Sequence, residues 1–98
     1  MRFEIILAPS AVASFRALPA YERATVKDAL ETHLRYEPTK VSKSRIKRLR
    51  GLTRPQFRLR VDEVRVFYDV TDQEVQILAI VTKAQASGWL HAHGEAGT

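Results

Sequence analysis

The stretch FRLRVDEVRVFYDV, residues 57–70, predicts two short β-strands joined by a tight turn, and the rest of the fold is built around it. Side chains alternate along a strand, so a loop at Asp62-Glu63 pairs Val61 with Val64 and gathers the apolar side chains of both strands on one face. The opposite face then receives a cluster of four residues: Arg58, Arg60, Arg65 and Phe67.

This cluster of arginines predicts an anion-binding surface. Like charges that face each other across a sheet cost up to roughly 1 kcal/mol per pair, and a bound anion would turn the repulsion into attraction. Arginine forks match phosphate geometry, and an exposed Phe67 ring would give a nucleobase a surface for stacking. The alternative is a solvated face on which Glu63 or Asp69 pairs locally with an arginine.

The flanking segments predict an α+β fold. Residues 2–7 alternate like a strand, and residues 9–18 and 21–36 have helical periodicity, with Pro19 between the helices and Pro38 after the second. RIKRLRG, PQFRLRV, VRVFYDV and EVQILAIV then follow as closely spaced strands. We predict one domain, 1–98, in which an N-terminal strand and a helical hairpin pack on a curved, mainly antiparallel sheet. A short helix and a tail that frays after about residue 90 would end it.

Charge and composition narrow the class of protein. The chain of 98 residues has a net charge of +5, no cysteine, and no apolar run long enough to cross a bilayer, so we expect a cytoplasmic protein without membrane association. Ten of the sixteen basic residues lie in one window, which only Asp62 and Glu63 oppose. They are Lys40, Lys43, Arg45, Lys47, Arg48, Arg50, Arg54, Arg58, Arg60 and Arg65. Such a local basic patch is typical of polyanion binding.

The histidines and the single tryptophan add weaker signals. His33 falls on the apolar stripe of the second helix, where a core-edge position is favoured over catalysis. His91 and His93 lack carboxylate or thiolate support, so we predict no metal site. Trp89 suits an apolar anchor and a base-stacking platform equally well.

The order of strand, helical hairpin, RLRG, FRLRVDEVRVFYDV and VQILAIVTK resembles the RelE/ParE superfamily of toxin-antitoxin toxins, from about Phe3 to Leu90. The resemblance implies a cytoplasmic toxin that a cognate antitoxin neutralises through an acidic, amphipathic segment. RelE-like members cut mRNA in the ribosomal A site without metal or other cofactor. In that reaction a ribose 2′-OH attacks the adjacent phosphate, which requires a base, an acid and cations.

The resemblance also assigns roles to residues of this chain. Arg65 would hold the scissile phosphate, supported by Arg60 and Arg58. Lys83 would add a cation after the last strand, although Gln85 is the strictly aligned position. The family's C-terminal tyrosine has no counterpart, and His91 is the candidate acid or base in its place. Ribosomal RNA or mRNA would bind through a further set: Lys40, Lys43, Lys47, Arg48, Arg50, Arg54, Phe67 and Trp89.

Two other functions remain open on the sequence alone. Arginine cannot act as a general base, so proton transfer is in question wherever this chain has arginine in the hairpin. A ParE-like toxin, which poisons DNA gyrase through protein contacts, needs no nuclease site. A plain RNA-binding domain without toxicity is the third possibility.

Overall fold

A computed structural model describes residues 1–97 and confirms the α+β fold. Thr98, the last residue of the predicted domain, lies outside the described range. The elements are β1 (Glu4–Leu7), α1 (Pro9–Ala17), α2 (Ala20–Leu34), β2 (Ile46–Arg48), β3 (Leu52–Arg54), β4 (Phe57–Val61), β5 (Val64–Val70), β6 (Glu74–Thr82), α3 (Lys83–His93) and β7 (Glu95–Ala96). Within residues 1–97 no helix has the length and apolarity needed to span a membrane.

The main sheet has five strands in the order β1-β6-β5-β4-β2, with β1 parallel to β6 and the other neighbours antiparallel. The predicted register of the β4–β5 hairpin is confirmed: Val61 lies opposite Val64, and Arg60 lies opposite Arg65. Asp62 in the turn has a φ of 51°, in the left-handed region that aspartate tolerates better than most residues. A two-residue turn therefore forms here without asparagine or glycine.

One face of this sheet packs against the helical hairpin of α1 and α2. Helical spacing turns Val26, Leu30 and Leu34 toward the sheet, where they join Leu59 and Val66 in a single buried cluster. Pro9 lies in the first turn of α1. We call the opposite face of the sheet the outer face.

Tyr68 makes a buried hydrogen bond inside this core. Its ring stacks on Phe57 with centroids 5.5 Å apart and is fully buried. Its hydroxyl donates a 2.7 Å hydrogen bond to the Pro38 carbonyl, which joins the sheet to the segment after α2. Burial raises the pKa of Tyr68.

The basic segment before β4 forms two short strands, β2 and β3, where the sequence predicted one. The chain turns at Arg50-Gly51, where Gly51 has a φ of 75°, and β3 leaves the main sheet to pair with β7. The tail after Leu90, where we expected fraying, instead completes α3 to His93 and forms β7. The two-stranded ribbon of β3 and β7 supplies that segment with backbone partners.

Helix α3 packs on the outer face, and this corrects the role predicted for Phe67. The Trp89 ring lies on the Phe67 ring with centroids 5.1 Å apart and an interplanar angle of 7°. Phe67 is fully buried as a result, so the prediction that its ring is exposed for a nucleobase is wrong. Alternation placed Phe67 on the correct face, but the helix that covers that face could not be placed from β-strand periodicity.

Replacement of Tyr68 by phenylalanine should leave the Pro38 carbonyl buried without its donor. We expect the free energy of unfolding to fall by about 1–3 kcal/mol in urea titrations. Tyr21→Phe is the control, because Tyr21 is 72% exposed. The raised pKa predicts that wild-type stability falls above about pH 10, where the unfolded tyrosine ionises first. A Tyr68→Phe protein as stable as wild type would show that the hydrogen bond to Pro38 does not contribute to stability.

Replacement of Trp89 by alanine should release α3 from the outer face. We expect a loss of about 1–3 kcal/mol in the free energy of unfolding, with faster amide exchange in α3, because the aromatic stack is removed. Trp89→Phe should retain most of that stability. Equal exchange rates in the alanine variant and wild type would show that β7 alone holds the helix.

Candidate nucleic-acid interface

Three arginines share the outer face of the β4–β5 hairpin, and we call Arg58, Arg60 and Arg65 the arginine cluster. Arg60 lies directly opposite Arg65, and Arg58 lies two residues before Arg60 on the same side of β4. No ion pair within residues 1–97 involves these three arginines. The strand register confirms that these three arginines share one face. Asp69 does pair locally with an arginine, as the alternative allowed, but with Arg54 and with none of these three.

Arg58 is the member whose charge is least compensated. Its side chain is half-buried, and its buried Nε has no hydrogen-bond partner within residues 1–97. Burial lowers the pKa of Arg58, and the charges of Arg65 and Arg60 lower it further. A guanidinium remains charged under these conditions, so a buried cation with a free donor favours an incoming anion.

Arg65 has a different position from the one predicted for a phosphate-binding residue. It is only 7% exposed, and its Nη1 donates hydrogen bonds to the carbonyls of Asp62, at 2.7 Å, and Val64, at 3.1 Å. These bonds brace the hairpin turn. Arg65 therefore contributes a fixed positive charge, and Arg58 is better placed than Arg65 to contact a phosphate.

Lys47 extends the cluster from the neighbouring strand. It is the Cα partner of Arg58 across β2 and β4, and it is exposed. Directly opposite residues of an antiparallel pair lie on the same face, with Cβ atoms about 4.5–5.5 Å apart. The sequence predicted Lys47 only as one RNA contact within a basic segment. The proximity of Lys47 to Arg58 could not be predicted, because the β2–β4 register does not follow from the sequence pattern.

The start of α3 places Lys83 at the turn end of the same hairpin. The Lys83 backbone N–H donates to the Glu63 carbonyl at 2.7 Å, and its side chain is exposed. Gln85 closes a capping box, in which its side chain accepts from the Thr82 N–H and its own N–H donates to the Thr82 hydroxyl. The sequence T-x-x-Q at 82–85 is the signal for this box. Gln85 thus has a structural task.

His91 is separated from the arginine cluster. It follows Trp89 by two residues, which is about 200° around a helix, so it points away from the side of α3 that packs on the sheet. It is exposed. Trp89 contacts Phe67 beneath it and His93 within its own helix, with ring centroids 5.2 Å apart in the second pair. Trp89 therefore serves as the anchor, one of its two predicted roles.

The other predicted RNA-binding residues are divided by the structure. Arg48 lies over the Phe57 ring and donates to the Gln56 carbonyl, and Arg54 pairs with Asp69 at 3.4 Å, so both have internal partners. Lys40 pairs with Glu37 on the helix side of the molecule. Lys43 and Arg50 are exposed. Of the six, Lys47 is the one whose strand pairing places it beside the arginine cluster.

A second charged region lies between α2 and the end of β4. This polar cleft of about 420 Å³ is lined by residues that include Asp28, His33, Arg45 and Asp62. Arg45 Nη1 lies 2.8 Å from His33 Nε2, and burial, followed by the Arg45 charge, lowers the pKa of His33. The carboxylates of Asp28 and Asp62 oppose a polyanion here. The outer face, which carries the arginine cluster, is therefore the stronger candidate for an anion-binding surface.

The arrangement can supply one of the three requirements of RNA cleavage, the cations, but neither the base nor the acid. Fixed guanidinium groups can bind a phosphate and stabilise the charge that develops on it. The arginines cannot accept the 2′ proton, because a guanidinium stays protonated. A proton acceptor must come from outside the arginine cluster.

Comparisons with known proteins agree with this fold. The sequence profile of the ParE toxin of type II toxin-antitoxin systems, parDE, matches residues 5–86. No curated protein matches at a significant level. A chain of the toxin-antitoxin complex RelBE2 from Mycobacterium tuberculosis is 24% identical, with a TM-score of 0.68, over 84% of this chain and 99% of that one. A chain of the RelE-RelB complex from Pyrococcus horikoshii OT3 is 20% identical, with a TM-score of 0.57, over 87% and 99%.

The two kinds of comparison carry different information. The two structural neighbours are less than 25% identical to this chain. They therefore establish only that this chain has the same fold as a chain of each of those toxin-antitoxin complexes. The profile covers most of the chain and establishes the family. The chain belongs to the ParE toxin family, and so to the RelE/ParE superfamily of type II toxin-antitoxin toxins.

Proposed function

We propose that this toxin inhibits translation by cleaving mRNA on the ribosome, without a metal, at the arginine cluster. The observation that carries the proposal is the unpaired buried Nε of Arg58, flanked by the charges of Arg60 and Arg65. A single-stranded RNA phosphate supplies the anion that this site lacks, and an A-site codon presents such a phosphate. The ribosome and mRNA are the partners in this proposal, and the site of action is the cytoplasm.

The proposed chemistry divides the work among the basic residues. Arg58 contacts the scissile phosphate, while Arg60 and the anchored Arg65 stabilise the additional negative charge of the transition state. Exposed Lys47 and Lys83 extend the positive field along the RNA backbone. Such contacts give affinity that falls as salt rises, rather than sequence preference.

A ParE-like action on DNA gyrase is the second candidate. It is favoured by the profile that matches the chain, and by the use of Gln85 as a helix cap where RelE-like enzymes have a basic residue. Inhibition through protein contacts needs neither a base nor the missing C-terminal tyrosine. The arginine cluster would then bind the acidic antitoxin or an acidic surface of the target.

A primer-extension map of a reporter mRNA in a purified translation system tests the leading proposal. We expect wild-type protein to produce cuts at A-site codons and Arg58→Gln to lose them, because the scissile phosphate loses its main donor. Arg58→Gln should fold, since it removes repulsion within the cluster. Arg16→Gln makes the same charge change on α1 and should cut as wild type does.

Two results would argue against the nuclease. Intact mRNA with normal translation removes it and makes gyrase cleavage-complex assays the next measurement. Inhibited translation without cuts, retained by Arg58→Gln, indicates a protein target. Cuts that persist in Arg58→Gln would place the active site outside the arginine cluster.

The cognate antitoxin is proposed to neutralise the toxin by placing acidic side chains of an amphipathic segment over the arginine cluster. The segment would order as it binds. Arg60→Glu should weaken the complex at least tenfold, about 1.4 kcal/mol, and reduce its salt dependence in titration calorimetry. Arg16→Glu should leave both unchanged. An unaltered affinity of Arg60→Glu would indicate that the antitoxin docks only on the helical hairpin.

A further inference from the structure

Proton transfer is the task for which the arginine cluster has no suitable group. Guanidinium groups do not give up a proton in proteins, which excludes Arg58, Arg60 and Arg65 as bases. His91 is on the solvent side of α3, as shown above. Asp62 and Glu63 lie in the hairpin turn, and Arg65 contacts the carbonyl of Asp62 rather than its carboxylate. An amine close to Arg58 is a further kind of acceptor.

Two lysines lie near the outer face, and their distances from Arg58 differ. Lys83 lies beside Glu63, while Arg58 pairs with Phe67, which is three residues from Val64 along β5. Three residues of a strand span about 10 Å. Lys47 lies directly opposite Arg58, with no residue between them in the pairing. No ion pair within residues 1–97 occupies the Lys47 amine.

We propose that Lys47 is the catalytic residue that accepts the proton of the attacking 2′-OH. This inference rests on the proposed RNA cleavage and adds a group from β2 to a site otherwise built on β4 and β5. Arg58 contacts the scissile phosphate, and the attacking 2′ oxygen lies on the ribose directly attached to it. The short separation of Lys47 and Arg58 allows one side chain to reach the hydroxyl while the other contacts the phosphate.

The step balances as follows. The Lys47 amine takes the 2′-OH proton as the 2′ oxygen forms a bond to phosphorus. The bond from phosphorus to the 5′ oxygen breaks, and that oxygen leaves with the electron pair and takes a proton from water. The hydroxide that remains is neutralised by the proton that the Lys47 ammonium later releases. The products are a 2′,3′-cyclic phosphate and a free 5′-hydroxyl.

Lys47→Arg separates proton transfer from charge, because it keeps a cation and removes the acceptor. In single-turnover cleavage on programmed ribosomes, we expect Lys47→Arg to bind as tightly as wild type and to cleave at least about 100-fold more slowly. Lys47→Met should cleave as slowly as Lys47→Arg and should also bind the programmed ribosome more weakly, because it removes the cation. Lys27→Arg makes the same exchange on α2 and should cleave at the wild-type rate. Each variant is compared by its urea unfolding midpoint.

The pH dependence provides a second readout that a purely structural role would not alter. The wild-type cleavage rate should depend on pH through this proton transfer, whereas the residual rate of Lys47→Arg should lack that dependence. A Lys47→Arg protein that cleaves like wild type overturns the role of Lys47 and leaves the nuclease intact. Equal losses of affinity and rate overturn it also, since they indicate binding alone. A wild-type protein that does not cleave overturns both proposals.

Discussion

The register of the β4–β5 hairpin is the constraint on which the rest of this structure depends. A slip of one residue would move every apolar side chain of one strand from the core to the outer face. The turn at Asp62-Glu63 holds the register, and Arg65 braces that turn through two backbone carbonyls. The same arginine was predicted to contact phosphate. Its guanidinium thus contributes to folding as well as to the positive field of the outer face.

The sequence was sufficient to predict what depends on strand alternation and helix periodicity. The hairpin pairs, the buried Tyr68, the two packed helices and the mainly antiparallel sheet all follow from local pattern. The pairing of β3 with β7 could not be predicted, because two short polar segments more than forty residues apart carry no mutual signal. The docking of α3 was only one of two roles predicted for Trp89, because the apolar contacts of this helix are confined to half-buried side chains such as Trp89 and Leu90.

In the candidate site too, features that follow from one hairpin were predictable, and contacts with other elements were not. The arginine cluster was predictable, because alternation alone brings Arg58, Arg60 and Arg65 to one face. The burial of Phe67 and the separation of His91 depend on how α3 lies across the sheet. The relation of Lys47 to Arg58 depends on the β2–β4 register, which no residue pattern in the sequence determines. Strand alternation therefore places residues of a single hairpin on the correct face, but it does not show what the other elements contribute to that face.

The crowding of positive charge on the outer face has a consequence for the isolated chain. Repulsion among the guanidinium groups is relieved by any polyanion that binds the folded state and not the unfolded one. Such a ligand shifts the folding equilibrium toward the native chain. Added salt stabilises the free folded chain, because counterions relieve the repulsion. The same counterions weaken polyanion binding, because they compete with the polyanion. The free chain should therefore resist thermal unfolding best in media where its affinity for a polyanion is lowest.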